Sequence, residues 1–287
     1  MEYDNRNQYG GQDGYGNQTQ YGGRADREYG RGFGLTPAAR ALKDCGGSVV
    51  FLLAAAFYSA AFLVRLYQSM ELWPYLDAYL EVPVGVLTVA EYVLVLAAGA
   101  LISAGLWMFF AACRKSAGPA PSGLGFIKAG IVLDILYYIM AVGAFICVLF
   151  YTSGSGGWIS IRFFGLNLGT ALGGALLPAA LIICMLALAV LIVYHVKAAT
   201  TAGTAAAVCR TGWADKKLSM YVVVVNFIMI AAALFGIFDY AANGPGTGGL
   251  GTPADMAGVI RSVLDCGAVL CVNISILQFR GRLISGR

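Results

Sequence analysis

Charged residues are scarce in this chain, and that scarcity is the first constraint on its class. Only 12% of its 287 residues are Asp, Glu, Lys or Arg, whereas a soluble domain carries about a quarter. No dense basic patch accompanies a soluble fold, so we expect no nucleic acid among its partners. With 59% hydrophobic residues, the composition indicates a chain that lies mostly in lipid.

Histidine is almost absent, and the cysteines lack the spacing of metal sites. The single histidine is His195, which we place at the cytoplasmic edge of a span, and the seven cysteines include no Cys-x-x-Cys pair. The chain also contains no His-Glu-x-x-His motif and no P-loop. We therefore expect no catalytic residues, no metal site, no cofactor and no enzymatic activity.

Valine, isoleucine and leucine are missing before Leu35, so the N-terminal segment cannot bury enough apolar surface to fold. We predict that residues 1–34 form a disordered cytoplasmic tail. Such a tail either contacts protein partners through its tyrosines or only increases solubility, and the sequence leaves both readings open. The tyrosines recur six residues apart in a Gly/Gln/Asn-rich background, at Tyr3, Tyr9, Tyr15 and Tyr21.

Long apolar runs dominate the remaining residues, 35–287. At a rise of about 1.5 Å per residue, each run is long enough to cross a hydrocarbon core of about 30 Å. We predict an all-α membrane protein, a bundle of six transmembrane helices arranged as three hairpins, with the lipid bilayer as its first partner. The predicted spans are approximately 46–66, 84–112, 126–151, 166–196, 218–239 and 256–277.

Basic residues occur on alternate connections between these spans, which predicts the orientation of the chain. Cytoplasmic connections are enriched in Lys and Arg, so both termini are expected in the cytoplasm. The other three connections carry mainly acidic residues, with Arg162 as their one clear base. The basic set comprises Arg24, Arg27, Arg31, Arg40, Lys43, Arg114, Lys115, Lys128, Lys197, Arg210, Lys216, Lys217, Arg280, Arg282 and Arg287.

Three glycines and two asparagines are the clearest helix-packing signals. Glycines four residues apart lie on one helix face and let a neighbouring backbone approach closely, which predicts a packing face at Gly165, Gly169 and Gly173. Pro178 is expected to kink the same helix. Asn226 and Asn273, in the fifth and sixth spans, can hydrogen-bond across helices.

Ionisable residues within the spans are the candidates for a functional site, because each is costly to place in a bilayer. Arg65 and Glu91 fall near the outer ends of their spans, where anchoring at the headgroups explains them. Asp134, Arg261 and Asp265 lie deeper, and the last two are four residues apart and so share a helix face. These three form a candidate intramembrane polar site. A structural ion pair between helices explains them as well.

The start of the first span shows a resemblance to known proteins. The segment LTPAARALKDCGGSVVFLLAAAFYSAAFL, residues 35–63, resembles multi-spanning membrane proteins of Gram-positive bacteria that carry a low-complexity or zinc-ribbon tail before a similar basic segment. Those proteins have no established activity, and the zinc-ribbon cysteines are missing here. The resemblance implies a bacterial cell membrane and nothing about chemistry.

Two hypotheses for function follow from these patterns. The first is a non-catalytic membrane scaffold or accessory protein, since the tail is repetitive and no polar path is evident in the sequence. The second is a small permease or channel-like subunit that uses the intramembrane Asp and Arg residues. Charged side chains paired locally in a dry bundle favour the scaffold, whereas a polar cavity lined by them favours transport.

Overall fold

Among the residues that the structure describes, six helices are long and apolar enough to cross a membrane, which confirms the predicted fold class and indicates an integral membrane protein. In the sequence, segments that contain Gly, Pro or charged residues separate the apolar runs. The structure is a computed structural model. It describes residues 35–70, 74, 83–115, 119–155, 161–163, 166–168, 177–214, 218–244 and 255–285.

A short amphipathic helix precedes the six long ones. Thr36 caps it by accepting a hydrogen bond from the backbone N–H of Ala39 at 3.2 Å, and Pro37 occupies its first turn, where a missing N–H costs little. In chain order the elements are α1 (Pro37–Gly46), α2 (Val49–Met70), α3 (Pro83–Arg114), α4 (Ser122–Ser155), β1 (Ile161–Phe163), β2 (Leu166–Leu168), α5 (Leu177–Thr211), α6 (Met220–Asn243) and α7 (Met256–Ser285).

The six long helices are arranged as a ring. Each packs against the next helix in the chain, and α7 returns to pack against α2. The most extensive contacts join α3 to α4 and α2 to α7, so they lie between the predicted hairpins rather than within them. No extensive contact between described residues crosses the ring. The centre is therefore lined by side chains from several helices.

The fourth span differs from its predicted position at 166–196. Leu166–Leu168 is a strand paired antiparallel with Ile161–Phe163, and the helix begins only at Leu177 and ends at Thr211. Pro178 is thus the second residue of α5 and lies in its first turn, where proline is compatible with a straight helix, so the predicted kink is wrong. Gly165, Gly169 and Gly173, as well as the tail 1–34, lie outside the described residues.

Close packing through glycine does occur, between α3 and α4. A Cβ atom on Gly105 would stand 2.6 Å from the carbonyl oxygen of Gly123, and one on Gly123 would stand 2.5 Å from the carbonyl oxygen of Gly105. A Cβ on Gly130 would likewise collide with the side chain of Ile102. Because these atoms are mostly backbone, they cannot move aside, and only glycine permits this approach.

We expect Gly123→Ala to destabilise the folded protein by about 1–3 kcal/mol, because the added methyl group overpacks a contact between two backbones. Gly125→Ala is the matched control on the same helix, since a Cβ there meets nothing within 4 Å. The measurement is the midpoint of thermal unfolding of each purified variant in detergent. Equal midpoints for the two variants would contradict the close approach of α3 and α4.

Candidate functional site

Charged side chains from three helices meet inside the ring. Arg65 on α2 lies within electrostatic range of Asp134 on α4 and of Asp265 on α7. The structure therefore brings two of the three predicted site residues around a third residue that the sequence had assigned to the headgroup region. Arg65 was missed because its distance from the end of its own helix says nothing about which helices lie beside it.

The third predicted residue, Arg261, lies in the same region but contacts a neutral group. Its Nη1 donates a hydrogen bond to Oε1 of Gln68 at 3.0 Å, and Nε2 of Gln68 donates to Oδ1 of Asp255 at 3.3 Å. Arg261 also lies within electrostatic range of both Arg65 and Asp265. This polar group links α2 to α7 near the end of the bundle opposite α1.

The charges in the interior are close to one another without forming contact ion pairs. Among the described residues, the one direct ion pair joins Arg282 to Asp44 at 2.8 Å, at the opposite end of α7 from Arg261. Arg65, Asp134, Arg261 and Asp265 each keep part of their surface accessible, although they lie among six helices. An unpaired charge in a dry interior costs several kcal/mol. Because these side chains are neither paired directly nor fully buried, the arrangement differs from a closed salt bridge.

Tyrosines from three helices lie within electrostatic range of the carboxylate of Asp134. Its charge acts on the phenols of Tyr58 on α2, Tyr138 on α4 and Tyr194 on α5. The aromatic rings also contact each other, with centroids of Tyr138 and His195 5.1 Å apart and those of Tyr194 and His195 5.0 Å apart. Sequence reasoning missed this group, because no spacing along the chain connects tyrosines on three different helices.

His195 is not at the edge of a span, as the sequence analysis placed it. It lies near the middle of α5 and is only 6% exposed, with Nδ1 2.7 Å from the carbonyl oxygen of Leu191. The error follows from the start of the helix, since α5 begins eleven residues later than predicted and extends to Thr211. The imidazole is therefore part of the interior lining.

Hydrogen bonds continue from the tyrosines across the remaining two helices. The hydroxyl of Tyr194 donates to Oδ1 of Asn226 at 2.7 Å, and Nδ2 of Asn226 donates to Oδ1 of Asn273 at 2.7 Å. Nδ2 of Asn273 then donates to the carbonyl oxygen of Val223 at 3.3 Å. The predicted hydrogen bonding of the two asparagines across helices is confirmed. This series of hydrogen bonds joins α5, α6 and α7, and both asparagines are almost fully buried.

Helix α1 lies against one end of the bundle and forms its apolar floor. We call this the basic end, because Arg114, Arg210 and Arg282 lie in the last turns of α3, α5 and α7. The apolar face of α1 is buried against residues from α3, α4, α5 and α7, together with Leu218 just before α6. The buried cluster consists of Ala38, Ala39, Ala41, Leu42, Cys45, Phe109, Cys113, Leu124, Ala205, Val208, Leu218 and Phe279.

Polar contacts hold both ends of α1 in place. The hydroxyl of Thr36 donates to the carbonyl oxygen of Gly212 at 2.5 Å, and Asp44 forms the ion pair with Arg282. Burial raises the pKa of the Cys45 thiol, an effect that Arg282 partly offsets and Asp44 reinforces. A thiol with a raised pKa holds less of its reactive thiolate at neutral pH. Cys45 is therefore both sterically and chemically protected while α1 is docked.

We expect Gly212→Ala to loosen α1 and to accelerate the reaction of Cys45 with N-ethylmaleimide. Gly212 has φ +78°, which costs a non-glycine residue about 1–2 kcal/mol, and its Cβ would stand 2.7 Å from Cγ2 of Thr36. Gly244→Ala is the control, because Gly244 has φ +82° but an added Cβ there would meet nothing within 4 Å. The labelling rate of the Cys45 peptide is followed by mass spectrometry. Equal rates in both variants would show that α1 does not depend on the Thr36 contact.

Comparison with known proteins does not place the chain in a family. No family model, no curated protein and no solved structure matches the chain. The predicted resemblance to membrane proteins of Gram-positive bacteria stays a prediction. Among the described residues, no group of three or more His, Cys, Asp or Glu side chains is placed to hold a metal ion.

Proposed function

We propose that this integral membrane protein is a small permease or channel-like subunit that binds a polar solute inside its ring of helices. The observation that carries the proposal is the meeting of Arg65, Asp134 and Asp265 without a direct ion pair, each side chain still partly accessible. Charged groups of this kind within a bilayer mark solute or ion pathways, because a purely structural role favours close pairing.

The two ends of the bundle differ in a way that supports access from one side. At the end opposite α1, the polar residues Gln68, Asp255 and Arg261 extend the charged cluster toward the helix termini. At the basic end, α1 and the apolar cluster beneath it close the ring. We propose that solute reaches the site from the end opposite α1. If the positive-inside rule holds for this chain, that end faces away from the cytoplasm.

The proposal is tested by the reactivity of a cysteine at position 134. Asp134→Cys is introduced after the native cysteines have been replaced, and the protein in oriented vesicles is treated with a charged, membrane-impermeant methanethiosulfonate. We expect modification from the side opposite α1 and little from the α1 side. Val132→Cys is the control, because Val132 is on the same helix and 51% exposed at the apolar, lipid-facing surface. Failure of both cysteines to react would refute a solvated interior.

The scaffold hypothesis stays a prediction, as does the absence of enzymatic activity. Its motivation is the Tyr/Gly/Gln-rich tail, and residues 1–34 lie outside the described part of the chain. A crosslinking pull-down from native membranes tests it by comparing the full chain with residues 35–287. Partners that depend on the tail would support the scaffold role, which is compatible with a solute site in the bundle.

A further inference from the structure

Two guanidinium groups lie in the outer part of the polar cluster without contact to a carboxylate. Arg65 and Arg261 are within electrostatic range of each other, and the hydrogen bond of the Arg261 Nη1 goes to the neutral Gln68. Like charges in a medium of low dielectric repel strongly, and an anionic group placed between them relieves that repulsion. The planar donors of arginine match a carboxylate in particular, because they can bind both of its oxygens.

A region that favours a cation lies across the ring from α7, at Asp134 on α4. Asp134 supplies a negative charge, and the phenols of Tyr58, Tyr138 and Tyr194 lie around it. A carboxylate with aromatic rings within electrostatic range suits an ammonium group, because that group can combine ionic attraction with cation–π contact. Arg65 lies between the two regions, since its charge acts on Asp134 as well as on Arg261.

The four charged residues of this cluster that lie within the helices are two cations and two anions, Arg65 and Arg261 against Asp134 and Asp265, whereas Asp255 lies at the start of α7, where it accepts from the backbone N–H of Gly258 and from Gln68. A ligand with net charge would leave an uncompensated charge among these four, at a cost of several kcal/mol. A ligand that carries one charge of each sign adds none. The neighbouring positions Val132, Leu136 and Ile139 are exposed and apolar, which places the charged residues on the ring side of α4 rather than toward lipid headgroups.

From these observations we infer that the site binds a small soluble zwitterion with a carboxylate and an ammonium group, the chemical class of the α-amino acids. The carboxylate contacts Arg65 and Arg261, and the ammonium group contacts Asp134 within the tyrosines. This inference rests on the proposed solute site and adds the class of solute. It requires both charges on one molecule, so that each half alone binds poorly.

The experiment measures thermal unfolding of the full chain in detergent with each of the common α-amino acids at millimolar concentrations. A ligand that binds only the folded state raises the midpoint, and we expect a rise of several degrees for at least one amino acid. Sodium propionate and ethylammonium chloride are the matched probes, since each is alanine with one of its two charged groups replaced by hydrogen. An equal rise with either half, or no rise with any amino acid, would overturn the inference.

Two charge variants locate the binding. Asp134→Asn and Arg65→Lys are each expected to weaken the binding of the amino acid at least about tenfold, because each weakens a hydrogen bond to a charged group. Arg65→Lys keeps the positive charge, so we expect the protein to fold, but it removes the bidentate guanidinium donor. Lys128→Gln is the control, an exposed residue on α4 whose Nζ lies near Gly203. An unchanged affinity in both test variants would contradict the assignment.

The two proposals fail in different ways. If the cysteine at position 134 reacts with the charged reagent but no amino acid binds, the solvated site stands and the zwitterion inference is wrong. If the cysteine does not react and no amino acid binds, the solute site itself is wrong. Binding of an amino acid that is unaffected by Asp134→Asn would place the ligand elsewhere in the protein.

Discussion

Replacement of Arg65 by glutamine is expected to lower the free energy of unfolding by about 2–4 kcal/mol, the largest effect of a single substitution in the interior. Arg65 is the cation that acts on both Asp134 and Asp265, so its removal leaves two carboxylates with reduced compensation. The expected loss is below the ~3–5 kcal/mol of a broken contact pair, because the groups are partly accessible. Thermal unfolding in detergent measures it.

Removing the charges of Asp134 and Asp265 as well tests the cause of this loss of stability. If the loss comes from uncompensated carboxylates, adding Asp134→Asn and Asp265→Asn to Arg65→Gln restores part of the stability. Arg114→Gln is the control, since that exposed guanidinium lies 5.6 Å from the ring centre of Phe110 and contributes about 0.5–1 kcal/mol. If Arg65→Gln lowers the free energy of unfolding no more than Arg114→Gln does, Arg65 does not stabilise the interior carboxylates.

Asn273→Ala is expected to lower the free energy of unfolding by about 1–3 kcal/mol. Asn273 is fully buried, and its side chain both accepts from Asn226 and donates to the carbonyl oxygen of Val223. Its loss leaves the Nδ2 group of Asn226 without an acceptor in an apolar environment. Asn243→Ala is the control, because that exposed amide bonds Asp239 within the same helix. Equal midpoints of thermal unfolding for the two variants would contradict the role of the buried bond.

The two asparagines should also be coupled. In a double-mutant cycle with leucine at positions 226 and 273, the double substitution is expected to cost less than the sum of the two single ones. Each single change leaves one amide unsatisfied, whereas the double change removes both partners of the bond. Strict additivity would mean that Asn226 and Asn273 contribute through separate contacts, and the hydrogen bond between them would then be negligible.

The fold was largely predictable from the sequence because a bilayer demands long apolar helices, and six runs of sufficient length are present. The prediction failed where glycine and proline made the pattern ambiguous. The apolar run after Leu166 reads as the start of a span, yet a short hairpin precedes α5. Helix α1 was not predicted as a separate helix, although Thr36, Pro37 and the pair Gly46–Gly47 mark its two ends.

The candidate site was predictable only in part. Asp134 and Asp265 stand out because an acid at membrane depth is unusual wherever it occurs. Arg65 and the tyrosines around Asp134 could not be recognised, since their role depends on which helices are neighbours and on the rotation of each helix. Neither property is encoded in the spacing along one helix. The asparagines were recognised because a buried amide needs a partner on any neighbouring helix.

The contact between α2 and α7 has a consequence for the order of assembly during synthesis. Of the six spans, α2 is the first to leave the ribosome, and α7, one of its two most extensive partners, is the last. Arg65 thus enters the membrane long before Asp265 is made. Helix α1 can complete its packing only after α7 is made, since it packs against Phe279 and its Asp44 pairs with Arg282. Docking of α1 therefore reports that α7 has been translated and inserted, and truncation before α7 leaves α1 without its contacts to Phe279 and Arg282.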